Sequence, residues 1–219
     1  MNKMNKMNKM KKAITVFIVF IFMVSCSKNI AEKNQLKENS KDEIILCDSI
    51  YKDKNYQIIL KRFSEEKGFS KGINTVFIFG KKENGQFKEL MKDSIQSDFG
   101  NFKFEDFNGD GIKDILVENI SDVRSNLSYY LYLVDLENDK LTKIKNFNEI
   151  KNPHYLPEYN LIDNEVMSGR NWTSFYQIRK DTVFDFGYVI YMGMDEDGNI
   201  IDFEKEYQET LYKVLQNKK

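Results

Sequence analysis

Proline, cysteine, histidine and tryptophan are scarce in this chain of 219 residues, which holds two prolines, two cysteines, one histidine and one tryptophan. The lone His154 has no second His or Cys with which to build a zinc centre, so it reads as a surface loop residue. No G-x-S-x-G signature and no glycine-rich phosphate loop occurs. Carboxylates are plentiful but scattered, and nothing selects a pair for acid/base hydrolysis of sugars. The chain is read as not an enzyme. It also lacks an excess of positive charge, with 33 Lys+Arg against 34 Asp+Glu. Five of those cations (Lys3, Lys6, Lys9, Lys11, Lys12) precede residue 26 in a segment without an acid. The remaining 28 basic and 34 acidic residues give the body a charge of about −6. Nucleic acid is excluded as a partner, because it demands clustered Lys and Arg. A mean hydropathy of −0.56 excludes a polytopic membrane protein. What is present, 41% hydrophobic and 14% aromatic residues, is enough for a packed core. The 194 residues from Cys26 onward fit one domain.

The one long apolar run lies near the start. After the charged MNKMNKMNKMKK come twelve residues, Ala13 to Val24, with Thr15 as the sole polar group. That length suits a signal-peptide core and is too short to span a bilayer, which takes about 20 residues. The run ends in Val24-Ser25-Cys26-Ser27, which resembles the lipobox of bacterial lipoprotein signal peptides, with Met23 where Leu is usual. The resemblance implies cleavage after residue 25 and lipidation of Cys26; an ordinary secretory signal with a chance cysteine is the alternative. The NKM triplets leave Met1, Met4, Met7 or Met10 as the start. Residues 26–42 then form the lipidated Cys and a polar tether, and 43–219 the folded domain. Ser27 is not the Asp that retains many lipoproteins in the inner membrane, and no acidic run follows Cys26. By resemblance, the protein hangs from the outer membrane into the periplasm, with surface exposure left open. With Cys26 carrying lipid, Cys47 stands alone in an apolar run and reads as a buried thiol.

From residue 43 the signals are β. Tyr56–Phe63 and Asn74–Phe79 have strand length and β-branched and aromatic content. Asn84-Gly85 suits a tight hairpin, returning through Phe87–Met91. Ser128–Val134 and Leu141–Lys145 predict a second hairpin, and Thr173–Arg179 with Val183–Met192 a third, turning at Lys180-Asp181-Thr182. Residues 152–157, which hold both prolines, are expected to interrupt the pattern, and Asp195–Asn199 to turn. Glu204–Gln216 is either a last strand or a short helix. The expected class is mainly β in one domain, an antiparallel meander, a sandwich or a partial propeller.

One segment carries identifiable chemistry. In Asp106-Phe-Asn108-Gly-Asp110-Gly-Ile112-Lys-Asp114 side-chain oxygens recur at alternate positions, and Gly111 permits a sharp turn. A hard cation such as Ca2+ takes six to eight oxygens. Asp106, Asn108, Asp110 and Asp114 would supply side chains and Ile112 its carbonyl. Val117 occupies the place of the bidentate Glu of an EF-hand, and the flanks read as strands. The motif D-x-N-G-D-G-x-x-D resembles the calcium loops of FG-GAP and VCBS repeats, here in a single copy. A metal-free Asx turn is the alternative, opposed by repulsion among three carboxylates on nine residues. A bound calcium would be structural, with a dissociation constant on the order of 10⁻⁵ to 10⁻³ M.

Residues 101–191 together show the aspartate loop, an aromatic strand (Tyr129, Tyr130, Tyr132), Asn152-Pro153 with Glu158 nearby, then Met167-Ser168-Gly169-Arg170 and Tyr176. This order resembles periplasmic calcium-binding lipoproteins that act as immunity proteins against lysozyme-like effectors, similar in fold to periplasmic lysozyme inhibitors. The resemblance implies a protruding loop in which Ser168, Gly169 and Arg170, together with Tyr176, bind a lysozyme-like hydrolase. Such enzymes work with two carboxyl groups that a hydroxyl, backbone amides and a guanidinium could engage. Arg170 is one of only four arginines. Trp172 and Phe175 are either interface anchors or strand core. The alternative function is a structural or ligand-binding envelope lipoprotein without inhibitory activity.

Overall fold

Alternating apolar side chains from residue 56 onward make strands whose two faces must both find cover, and the chain satisfies them by stacking sheets. The computed structural model describes residues 41–218, except Lys54, 64–71, 98–99, Val123 and 195–197. The leader, Cys26 and almost all of the tether lie outside the described residues. The first sheet has the order β1 (Lys41–Leu46), β2 (Tyr56–Arg62), β3 (Thr75–Glu83), β4 (Gln86–Ile95). Its first strand begins at Lys41, within the segment expected as tether. Asn84 and Gly85 sit at φ 52° and 78°, the left-handed pair that a two-residue hairpin demands. The second sheet repeats the meander with β5 (Phe102–Glu105), β6 (Asp114–Ser121), β7 (Leu127–Asp135) and β8 (Lys140–Lys143).

The third sheet runs β13 (Thr182–Asp185), β12 (Phe175–Arg179), β10 (Leu161–Asn164), β9 (Pro153–Leu156). Here the proline-bearing segment departs from expectation, since Pro153 opens an edge strand instead of breaking the sheet. An edge strand's first residue has no ladder bond to donate, so proline is tolerated there. The expected Val183–Met192 strand is also divided. Gly187 turns at φ 76°, and the chain leaves β12 to pair β14 (Ile190–Tyr191) with β11 (Trp172–Thr173) as a separate two-stranded sheet. Met194 and Ile200 form an isolated antiparallel bridge, and residues 195–197 of the expected turn lie outside the described residues. The C-terminal segment is the helix Phe203–Asn217, whose N-cap Asp202 accepts a hydrogen bond from the Lys205 amide at 3.2 Å. The architecture is mainly β, built of antiparallel sheets.

Three cores separate the layers. Ile58, Leu60, Phe77 and Phe79 of the first sheet meet Ile115, Val117, Tyr132 and Val134 of the second. Phe77 and Tyr132 stack with centroids 4.5 Å apart and planes 2° from parallel. Leu116, Tyr129 and Leu131, one residue out of phase, point the other way against Ile162 and Tyr176 of the third sheet. Leu161 and Phe175 face Ile190 and the helix residues Leu211 and Val214. The second and third sheets are thus covered on both faces. Cys47 is fully buried in the first core, where burial and then the charge of Asp48 push its pKa up to about 12. Among the described residues no helix is long and apolar enough to cross a membrane.

Candidate functional site

The aspartate loop joins β5 to β6, strands on both sides, and straddles two cores. Phe107 is buried against Phe147 at 5.4 Å in the second core, while Ile112 packs on the first. The loop wraps its own carboxylates. Asp106 accepts from the Asn108, Gly109 and Gly111 amides at 3.2, 2.7 and 2.8 Å. Asn108 Oδ1 accepts from the Asp110 amide at 3.0 Å, and Asp110 Oδ1 from Ile112 N–H at 2.7 Å. Asn108 Nδ2 donates to Asp110 Oδ2 at 2.8 Å. Asp114, fully buried, ties the loop to the sheet by accepting from the Phe107 amide at 2.9 Å and the Val134 amide at 3.0 Å. Gly109 sits at φ 77° with its Cβ position 2.5 Å from Tyr155 Oη, so any side chain there is strained and must displace the tyrosine.

Charge accumulates here. Burial first, then the charges of Asp110 and Asp106, push Asp114 up to about 7. Tyr155 is raised by burial and then by Asp106, Asp110 and Asp114. Among the described residues no Lys or Arg forms an ion pair with these three aspartates. Nor does any group of three or more His, Cys, Asp or Glu gather as a ready metal cage there. The oxygens are turned toward backbone amides. As a donor set, Asp106, Asn108, Asp110, the Ile112 carbonyl and Asp114 supply only oxygen and an excess of negative charge, which suits calcium. Holding the ion requires the Asn108–Asp110 contact to open.

The second candidate, residues 167–170, links the Val166–Trp172 bridge at its base and is braced from beneath. Buried Asn126 does most of this. Its Oδ1 accepts from the Met167 amide and its Nδ2 donates to the Met167 carbonyl, each at 2.8 Å. Asn152 joins Asn126 at 3.2 Å and the Glu165 carbonyl at 2.8 Å, and Asn171 accepts from the Ser168 amide at 3.0 Å. Asp122 holds Asn126 through both oxygens; that amide, and then Lys151, keep its pKa well below the ordinary carboxylate range. Gly169 is exposed, has open space where a Cβ would go, and does not require a left-handed backbone. The fold places no demand for glycine at this position.

The four residues expected to bind a partner divide. Ser168 donates its hydroxyl to the Arg170 carbonyl within the loop. Arg170 lays its guanidinium 4.2 Å from the centroid of Tyr191. Tyr176 is not part of this surface. It is buried in the second core, where its hydroxyl lies 3.5 Å from Asn164 Nδ2. The same holds for Phe175, buried on the opposite face of β12, whereas Trp172 is half-buried. His154 is exposed and paired with Asp163 at 3.1 Å, and Asp163 also accepts from Tyr207 of the helix at 2.6 Å. Asn126, Asn171 and Tyr191 were not singled out by the sequence. Comparison with protein-family models, curated proteins and solved structures finds no match for this chain.

Proposed function

We propose that this chain is a lipid-anchored protein of the bacterial cell envelope that binds and inhibits a lysozyme-like peptidoglycan hydrolase. Its working element is the Met167–Arg170 loop. Anchoring through Cys26 and an outer-membrane, periplasm-facing location belong to the same reading. The observation that carries it is Arg170: a guanidinium on a loop braced at both ends, laid on the Tyr191 ring and in no ion pair among the described residues. A guanidinium of this kind favours a carboxylate from outside, and lysozyme-type hydrolases work with two. The negative body charge would also speed encounter with a basic enzyme. Turbidity clearing of peptidoglycan by a panel of lysozymes tests this. The protein should suppress clearing, and Arg170→Ala should relieve the suppression; no effect on any lysozyme type rejects the reading.

Calcium at 106–114 is the structural part of the proposal. It supplies positive charge among Asp106, Asp110 and Asp114, while Asn108 and the Ile112 carbonyl complete the donors. Binding to the folded state alone stabilises by about 2.7 kcal/mol at a hundredfold excess over the dissociation constant. Thermal melts in 10 mM Ca2+ and in chelator should therefore differ by several degrees, with Mg2+ weaker; identical melts reject the site. The alternative of a structural envelope module without inhibitory activity draws on Ser168 and Tyr176, whose polar groups are both engaged within the chain.

A further inference from the structure

Beside the loop, the short sheet β11–β14 has two unlike faces. Thr173 and Ile190 are register partners and both buried. Trp172 and Tyr191, the other pair, share the opposite face with Val189, since alternate residues of an extended segment point the same way. Val189 is 50% and Tyr191 39% exposed, and Met167 on the adjoining loop is 41% exposed. Arg170 bridges loop and sheet through its stack on Tyr191. Tryptophan, tyrosine and arginine thus lie together on one outward face, with Met167 exposed on the adjoining loop, in a chain that has one tryptophan and four arginines. That composition marks the energetic centres of protein interfaces.

Arg170 states what the partner must bring. Arg62 pairs with Glu43 at 2.6 Å, and Arg179 with Gln177 at 3.0 Å. Arg170 forms no such side-chain pair among the described residues, and its guanidinium lies on the Tyr191 ring. A planar fork held on an aromatic face is pre-organised for a bidentate carboxylate, and the apolar flanks Met167 and Val189 would exclude water around that pair.

We infer that the binding surface is not the loop alone but the whole face Met167, Arg170, Trp172, Val189 and Tyr191, built for a protein groove that presents a carboxylate to Arg170 within an apolar rim. This rests on the inhibitor reading above and extends it to residues that reading does not use. The test is inhibition of the lysozyme panel by the full chain and by three variants. Val189→Asp, on an exposed side chain, should weaken inhibition at least about tenfold, equivalent to about 1.4 kcal/mol, without moving the melting temperature. Arg170→Lys, which keeps charge but loses the fork, should weaken it by a similar factor. If Arg170→Ala abolishes inhibition while Val189→Asp is silent, the loop suffices: the extended surface is wrong and the inhibitor reading stands. If the wild-type chain inhibits no lysozyme, both fall. A dimer in size-exclusion chromatography that Val189→Asp converts to monomer would also overturn the inference, assigning the face to a second copy of the chain.

Discussion

Asp114→Ala removes two acceptors at one stroke. The Phe107 and Val134 amides that it holds belong to residues only 2% and 4% exposed, so water cannot take its place. An orphaned buried donor costs about 1–3 kcal/mol, giving about 2–6 kcal/mol for the pair. The pH dependence adds a second constraint. Burial and the neighbouring aspartates raise the folded pKa from the ordinary 3.8 to about 7, so the folded state binds the proton more tightly than the unfolded chain. That contribution to stability is complete below pH 3.8 and is lost as pH rises toward 7, at most roughly 4 kcal/mol in all. Wild type therefore loses stability across this window in chelator and Asp114→Ala does not, so the cost of the substitution shrinks from pH 5 to pH 8. Urea unfolding followed by Trp172 fluorescence, at both pH values in chelator, reads the difference. A cost below 1 kcal/mol at pH 5, or a cost independent of pH, would refute the argument.

Three further outcomes follow from geometry. Gly109→Ala should destabilise more than Gly111→Ala, because both positions have positive φ but only Gly109 has Tyr155 Oη at its Cβ position; chemical denaturation of the two variants measures the gap. The Cys47 thiol, neutral at pH 8 because its pKa is about 12, should resist alkylation in the folded protein and react fully in 6 M guanidinium. Its ionisation lowers stability only above about pH 9, where the unfolded thiol loses its proton. Phe77→Ala, at the joint between the first two sheets, should cost about 3–5 kcal/mol by urea titration, and the leucine substitution markedly less.

The strands that could be read from sequence are those whose local signals agree. Thr75–Glu83 and Gln86–Ile95 flank Asn84-Gly85, and both the side chains and the turn ask for a hairpin. Lys140–Lys143 and Leu127–Asp135 behave likewise. Pro153 gave the opposite signal, because its tolerance at the start of an edge strand depends on where the sheet ends, which is a tertiary fact. The helix had a readable start in Asp202 and an apolar series at Phe203, Tyr207, Leu211 and Val214. Tyr207 and Tyr212 are equally at home in a strand, which left that segment open between two periods. At the aspartate loop the spacing of oxygens was legible from sequence alone. The brace of the second loop was not, because Asn126 lies 41 residues from Met167 and 26 from Asn152. Nothing local distinguishes it from any other polar loop residue. Tyr176 misled for the complementary reason: the resemblance grouped it with the Ser168–Arg170 loop, but the pleat points it into the second core.

The stacked sheets have a geometric consequence for where the molecule stops. A sheet apolar on both faces offers each new surface to another layer, so a pile of such sheets has no intrinsic last member. In this chain the helix Phe203–Asn217 ends the series on one side, covering Leu161 and Phe175 with Leu211 and Val214 while turning Glu204, Gln208 and Lys213 outward. It plays the part of an end cap in a repeat array, where a polar outer face prevents further growth. Without those fifteen residues the third sheet would present the kind of face that the first two sheets bury against one another, and the simplest surface to cover it would be its own counterpart on a second molecule. The C-terminal helix is thus what keeps a layered architecture finite on that side.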